Sequence, residues 1–530
     1  MPFILCLIFV LSAAFVQAAP VNVSLKSIPG TDRTADLSAA LEKVRASREG
    51  GTITLAPGDY LLASPIVIAD RVSNHDTPRE RRVFLPIQNV TNLVIKSKGA
   101  RILCDGEGIA CGIINASNIR VKGVVFDYTR PFFSIWTLKD KKLTPTDTKE
   151  YSYTCDDQGI IFSTGTGWRE RQKIAEFFDG TTRRFLGSVW WDGSIHREFN
   201  YPDGTIAMTR SPYRPNPCVF LYRASSVSFV DSGAYAAAGM GFLAQRSEDI
   251  LLQRWKTHGT RPIALQADAT HFSNCRGRIA VIDGVFEGMV DDAINVHSTS
   301  LKIVEQPAPN VIVCRFMHHQ SKGFEVFRPG EELRPITGDT LEPGESIVVT
   351  AVEAPNADFV RVTLAKPLPE MYKVGDAVEN ATWQPSVVFK GNTVRNSSPR
   401  ATLFTTPGKI ICENNRFENV AGQPIYFAGD ARNWYESGAC RDVVIRKNVF
   451  KNCGYLSGLG MIQIEPTVHD LKSQKEPYHR NILVEDNVFD TFRLPLVWAR
   501  SCANVVLRNN KIVDGNEKTV LNQADVKVEK

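Results

Sequence analysis

A short motif recurs through the second half of the chain at spacings that point to one kind of architecture. An asparagine is followed two positions later by an apolar residue at Asn392/Val394, Asn415/Phe417, Asn448/Phe450, Asn487/Phe489 and Asn510/Ile512. The successive Asn separations are 23, 33, 39 and 23. The two shorter ones equal one coil of a β-solenoid, and the two longer ones equal that coil with a loop added. Short alternating strands precede the copies, as at Asn481–Val484 and Asn504–Leu507, and earlier copies use Gly123 and Gly284. A period in the twenties with β-branched strands predicts coils that bury their apolar faces on one another. An inward Asn at each turn can bond the next Asn and its backbone, satisfying polar groups that the interior would otherwise strand.

The first hundred residues supply a beginning for such a stack. Leu37, Ala40, Leu41 and Val44 fall on one helix face, with Thr34 or Asp36 as the expected cap and Gly50-Gly51 as the stop. Thr52–Leu55 reads as a strand and Pro57-Gly58-Asp59-Tyr60 as a turn. Helix, Gly-Gly, strand and turn in this order resemble the opening of pectate-lyase-like right-handed parallel β-helices, where the helix covers the exposed edge of the first coil. Two stretches break the period. Residues 129–217 carry Trp136, Trp168, Trp190 and Trp191, and residues 301–383 carry alternating runs such as Phe359–Leu364. Both read as inserted small β-barrels, and the tryptophans of the first are expected mainly in its core. The expected chain is therefore all-β: a leader at 1–18, coils at 19–128, 218–300 and 384–530, and insertions at 129–217 and 301–383. The 37 Gly and 29 Pro suit coil corners and barrel turns.

Residues 2–20 are uncharged and end in small residues, with Val16-Gln17-Ala18 resembling a signal-peptidase site. Export, periplasmic or secreted, is expected, with the mature chain starting near Ala19 and no stable membrane insertion. Export permits disulfides, and Cys104 and Cys111 are close enough in sequence for a local bridge. No CxxC pair marks a zinc site. Sequons occur at Asn22, Asn89, Asn115, Asn380 and Asn396. The net charge of +5 over 530 residues gives no dense basic face, so nucleic acid is not an expected partner; a homo-oligomer stays open.

Between the insertions stand Asp268 and the pair Asp291-Asp292, at separations of 23 and 24. At that period the three fall on one face in adjacent coils. Parallel strands lie about 4.8 Å apart, so their carboxyl oxygens can approach to roughly the distances glycoside hydrolysis uses. One carboxyl must stay protonated to protonate the leaving oxygen, and another must be ionised to activate water or attack carbon. Crowded carboxylates supply this division, because like charges resist joint ionisation.

Four strings, in order, then carry a family resemblance: the Asp268 coil, Asp291-Asp292-Ala293-Ile294-Asn295-Val296-His297, Thr405-Thr406-Pro407-Gly408-Lys409, and Gly429-Asp430-Ala431-Arg432-Asn433-Trp434-Tyr435-Glu436-Ser437-Gly438. They resemble glycoside hydrolase family 110, exo-acting α-1,3-galactosidases that include enzymes removing the blood-group B galactose. The resemblance implies inversion without a metal or other cofactor. It implies Asp291 as general acid, and Asp268 and Asp292 together as general base. It also points to Asp430, Asn433, Trp434 and Glu436, with Asn295, as a sugar pocket, an indole suiting the apolar face of galactose. His271 and His297 either bond sugar hydroxyls or orient the carboxylates, the latter being favoured. Ser298 stands where the family string leads one to expect Gly.

Competing readings are a polygalacturonase-like glycosidase, a polysaccharide lyase and a non-catalytic glycan-binding β-helix. The first would add Gly-His-Gly and Arg-x-Lys downstream of Asp292, which the chain lacks. The second needs a base beside calcium carboxylates, and none stands out. The third has no need of three carboxylates at coil spacing.

Overall fold

The computed structural model describes residues 20–529 apart from 70, 77–79, 147–152, 164–168, 195, 258–260, 262, 516–519 and 522–523. The expected leader and Trp168 lie outside the described residues. Largely parallel sheets of 15 and 13 strands run the length of the molecule, and a six-stranded parallel sheet joins them from Val285–Phe286 onward, as the faces of a right-handed parallel β-helix. A single core threads it, from Leu37 and Ile53 at one end to Val505 and Leu507 at the other.

The helix Thr34–Ala46 buries Thr34, Leu37, Ala40, Leu41 and Val44, the face its spacing predicts. Its start differs from expectation. Asp32 Oδ1 accepts the Thr34 N–H at 2.9 Å, and Asp36 instead pairs with Arg33. Asp32 also takes the Ala63 N–H and the Ser64 hydroxyl, so one carboxylate ties the helix to the following coil.

The asparagine ladder forms as its spacing requires. Each Asn carboxamide oxygen accepts both the backbone and the side-chain N–H of the Asn one coil earlier, at 2.9–3.1 Å, from Asn392 through Asn415, Asn448 and Asn487 to Asn510. The residue before each Asn turns the chain at positive φ: Gly391, Asn414, Lys447, Asp486 and Asn509. Gly, Asn and Asp tolerate that region best. Two positions after the Asn, Phe417, Phe450 and Phe489 stack with centroids 4.9 and 4.7 Å apart and planes within 7°.

The two insertions differ in form. The second closes as a six-stranded barrel, Leu301–Ala308 through Ala377–Asn380, and pairs Leu301 with Val378, so its two ends leave the solenoid side by side. The first consists of a five-stranded antiparallel sheet running from Phe133–Lys139 to Ile206–Arg210 and a three-stranded one, Tyr153–Asp156, Gly159–Ser163 and Arg169–Arg171. These share a core that holds Trp136 and Trp191, whereas Trp190 is 67 % exposed. All ten cysteines of the described residues are free, nine of them buried. Cys104 and Cys111 are thus not bridged; both line the solenoid core, where a thiol packs as a small apolar group. The sequon residues Asn380 and Asn396 are buried and hydrogen-bonded, which removes them from the glycosylatable surface of the folded chain.

Candidate active site

Three neighbouring coils build the site from one column of equivalent positions. The strand Thr270–Ser273 pairs with Ile294–Thr299, His271 opposite Asn295, and that strand pairs with Thr402–Thr405, Asn295 opposite Leu403. Three residues before each of these partners stand Asp268, Asp292 and Arg400. The ladder continues through this corner, with Ala269 N–H bonded to Asp292 O at 2.7 Å and Ala293 N–H to Ala401 O at 2.8 Å. Phe272, Ile294, Val296 and Phe404 point into the core, which turns His271, Asn295 and His297 outward. They are nevertheless buried.

Nearest oxygens of Asp268, Asp291 and Asp292 lie within 4.8 Å of one another. Two arginines balance this charge. Arg400 Nε lies 2.7 Å from Asp292 Oδ1, and its NH2 nitrogen 3.5 Å from Asp291 Oδ1. Arg214, arriving from the end of the first insertion, donates to Asp291 Oδ2 at 3.2 Å. Asp292 is fully buried, and neither of its oxygens receives a well-aligned hydrogen bond among the described residues. Burial raises its carboxyl to about 7; Arg400 opposes the rise and the Asp291 charge adds to it. Burial, followed by the charges of Asp291 and Asp292, holds the Asp268 carboxyl well above its ordinary value. Burial and crowding thus favour the protonated form of both carboxyls.

Asp268 and Asp291 line a cavity of about 220 Å³ together with His271, Asn295, Arg214 and Arg400. Asp292 is not part of that lining; it sits behind the other two. The loop around residue 430 closes the far side with Asn433, Trp434 and Glu436. Asp430 accepts four backbone N–H bonds, from Arg432, Asn433, Trp434 and Tyr435, so its carboxylate shapes the loop that presents its neighbours. Trp434 stacks on His318 of the second insertion at 4.0 Å, which occupies one face of the indole. Asn295 Oδ1 is buried without a hydrogen-bond partner among the described residues, an acceptor a sugar hydroxyl would satisfy. His271 Nδ1 lies 2.6 Å from Asp268 Oδ2, and His297 Nε2 lies 2.8 Å from His271 Nε2 and 3.5 Å from Glu436 Oε1. Both imidazoles therefore serve neighbouring residues. Beyond Trp434 and Arg214 the cavity adjoins an outer groove of about 770 Å³ between the insertions, with Trp190, Tyr213, Lys173 and His319 on its walls.

All the expected site residues gather here. Sequence reasoning missed Arg214, Arg400, Asn74 and Tyr426. Arg400 had a usable signal: it occupies the position of Asp292 one coil on, but the second insertion stretches that step to several coil lengths.

Residues 311–378 match the profile of GLAA-B beta-barrel domain II. An alpha-1,3-galactosidase B of Akkermansia muciniphila is 37 % identical over 94 % of this chain and 67 % of its own length. One of Bacteroides fragilis is 32 % identical over 90 % of this chain and 88 % of its own. The chain belongs to glycoside hydrolase family 110. A polygalacturonase from Erwinia carotovora aligns over 98 % of this chain and 100 % of its own, at 10 % identity and a TM-score of 0.44. In this family 110 chain the matched barrel is the second insertion, the one that delivers His318 to Trp434.

Proposed function

We propose that the protein is an exo-acting α-1,3-galactosidase that hydrolyses a terminal α-1,3-linked galactose with inversion. The observation carrying this reading is the column of Asp268 and Asp292 beside Asp291, on a small cavity that adjoins a larger groove. The inner cavity takes the terminal sugar, and the groove takes the remaining glycan. Asp291 protonates the leaving oxygen. Asp268, backed by Asp292, removes a proton from the attacking water. Asn295, Asn433 and Glu436 bind hydroxyls, and the exposed part of Trp434 meets the apolar sugar face. Arg214 and Arg400 keep this acidic cluster together between turnovers. Export, with cleavage near Ala19, belongs to the same proposal, and N-terminal sequencing of the mature protein tests it.

The deciding experiment is an NMR time course on branched and unbranched α-1,3-galactosides. Release of β-galactose first supports inversion and the linkage together. A second reading, retention, draws on the approach of the carboxylates to within 4.8 Å, close to the about 5–5.5 Å of retaining pairs; α-galactose released first would establish it. No release from any α-galactoside would overturn the enzymatic reading.

A further inference from the structure

Donor and acceptor counting along the buried histidines leaves their protons few places to sit. His297 Nδ1 lies 3.0 Å from the Ser298 carbonyl oxygen. A carbonyl has no hydrogen, so Nδ1 carries one. In a neutral His297 the other nitrogen, Nε2, is then bare. It accepts from Asn74 Nδ2 at 3.4 Å and faces His271 Nε2 at 2.8 Å. The proton between the two rings therefore belongs to His271 Nε2, which leaves His271 Nδ1 bare. That bare nitrogen lies 2.6 Å from Asp268 Oδ2, and a contact so short between two acceptors requires a proton, which only the carboxyl can supply. The same burial that raises Asp268 holds the His271 imidazole well below its ordinary value, so both partners favour the neutral pair. Arg214, Arg400 and His75 also act on His271, and each disfavours a cationic ring there.

We propose that His271 and His297 form a proton relay joining Asp268 to Glu436, and that the resting proton sits on Asp268. Shifting each proton by one hydrogen bond converts the chain into its alternative form. Asp268 gives its proton to His271 Nδ1 while His271 gives its Nε2 proton to His297 Nε2. The products are an Asp268 carboxylate, a neutral His271 and a His297 imidazolium whose Nε2 lies 3.5 Å from Glu436 Oε1. No proton or electron is gained or lost. Resting on the reading of Asp268 as base, the relay explains how a carboxyl kept protonated at rest becomes ionised for the attacking water. His297 acts through His271 and is a positioning residue. Glu436 lines the cavity with its side chain 13 % exposed, and it is the end at which the proton leaves.

The test is two-bond ¹H–¹⁵N NMR of the full chain with labelled histidine. His271 protonated on Nε2 and His297 on Nδ1, both neutral at neutral pH, is the expected pattern. A cationic ring, or His271 protonated on Nδ1 in the free protein, overturns the assignment. For the kinetic role, His297→Gln keeps hydrogen bonding but cannot pass a proton. It should lower kcat on an aryl α-galactoside by about 10–100-fold with KM changed by less than about twofold. Glu436→Gln should shift the pH profile of kcat. Unchanged kcat and pH profile in both variants overturns the relay even with the expected tautomers. A wild-type protein that cleaves no α-galactoside instead fails the reading of the site, a result the tautomer spectra are independent of.

Discussion

Replacing Asp292 by Asn isolates what a fully buried carboxyl at the heart of the site costs the fold. The folded-state value of about 7 lies roughly three units above that of an unfolded Asp. Below about pH 4 both states are protonated and the group contributes nothing. Between about pH 4 and 7 the unfolded chain releases the proton while the folded one keeps it, so the group destabilises the fold progressively as pH rises. By pH 8 the integrated penalty is about 4 kcal/mol. An amide carries no such penalty, and its oxygen can still face Arg400. With an unfolding entropy of about 1 kcal/mol/K for a chain of this length, Asp292→Asn should melt about 4 °C higher than wild type at pH 8 and within about 1 °C of it at pH 4.5. The assay is a pair of thermal-unfolding series at the two pH values, with galactoside hydrolysis measured alongside and expected to collapse. Equal shifts at both pH values would refute the reasoning, as would a variant less stable than wild type at pH 8. Either would mean that the Arg400 pair outweighs the burial of the carboxyl.

Other expectations address separate links. Asp291→Asn should lower hydrolysis of an aryl α-galactoside by about 10³-fold with an unchanged circular-dichroism spectrum. Trp190→Ala should raise KM about tenfold for extended glycans, a loss of about 1.4 kcal/mol, while an aryl galactoside too short for the groove keeps its kinetics. Asn448→Ala removes a fully buried side chain whose oxygen takes two N–H bonds from Asn415 and whose nitrogen bonds Cys412 O and Asn487. Stranding those groups should cost about 2–4 kcal/mol, read as a fall in Tm.

The ladder was legible because its residues must repeat at every coil, so Asn415, Asn448 and Asn487 disclose their contacts through spacing alone. Asp268 and Asp292 were legible for the same reason, since nothing interrupts the single coil between them. Arg400 occupies the next rung of that column, but a barrel inserted between rungs erases the periodicity that would announce it. Arg214, Asn74 and His318 approach the cavity from outside the column, on loops whose positions depend on tertiary packing and leave no periodic trace. The helix cap failed at a finer scale. Thr34 and Asp36 are both good capping types, but Asp32 was already anchored to Ala63 and Ser64, and that tertiary contact decided the matter. The tryptophan cluster divides between core and groove at the end of the strand Phe185–Trp190: Trp190, its last residue, faces out, and Trp191, the next residue, turns into the core.

The paired ends of the second insertion, Leu301 beside Val378, make that barrel an exchangeable cassette. The solenoid resumes in register on the far side as though the barrel were a simple turn, so its length and surface can diverge without disturbing Asp268, Asp292 or Arg400. The cassette meets the outer groove through His318, His319 and Gln320 and braces the loop around residue 430 through Ile336 and Leu341, so rewriting this one appendage would alter the groove while leaving the carboxylate column in place.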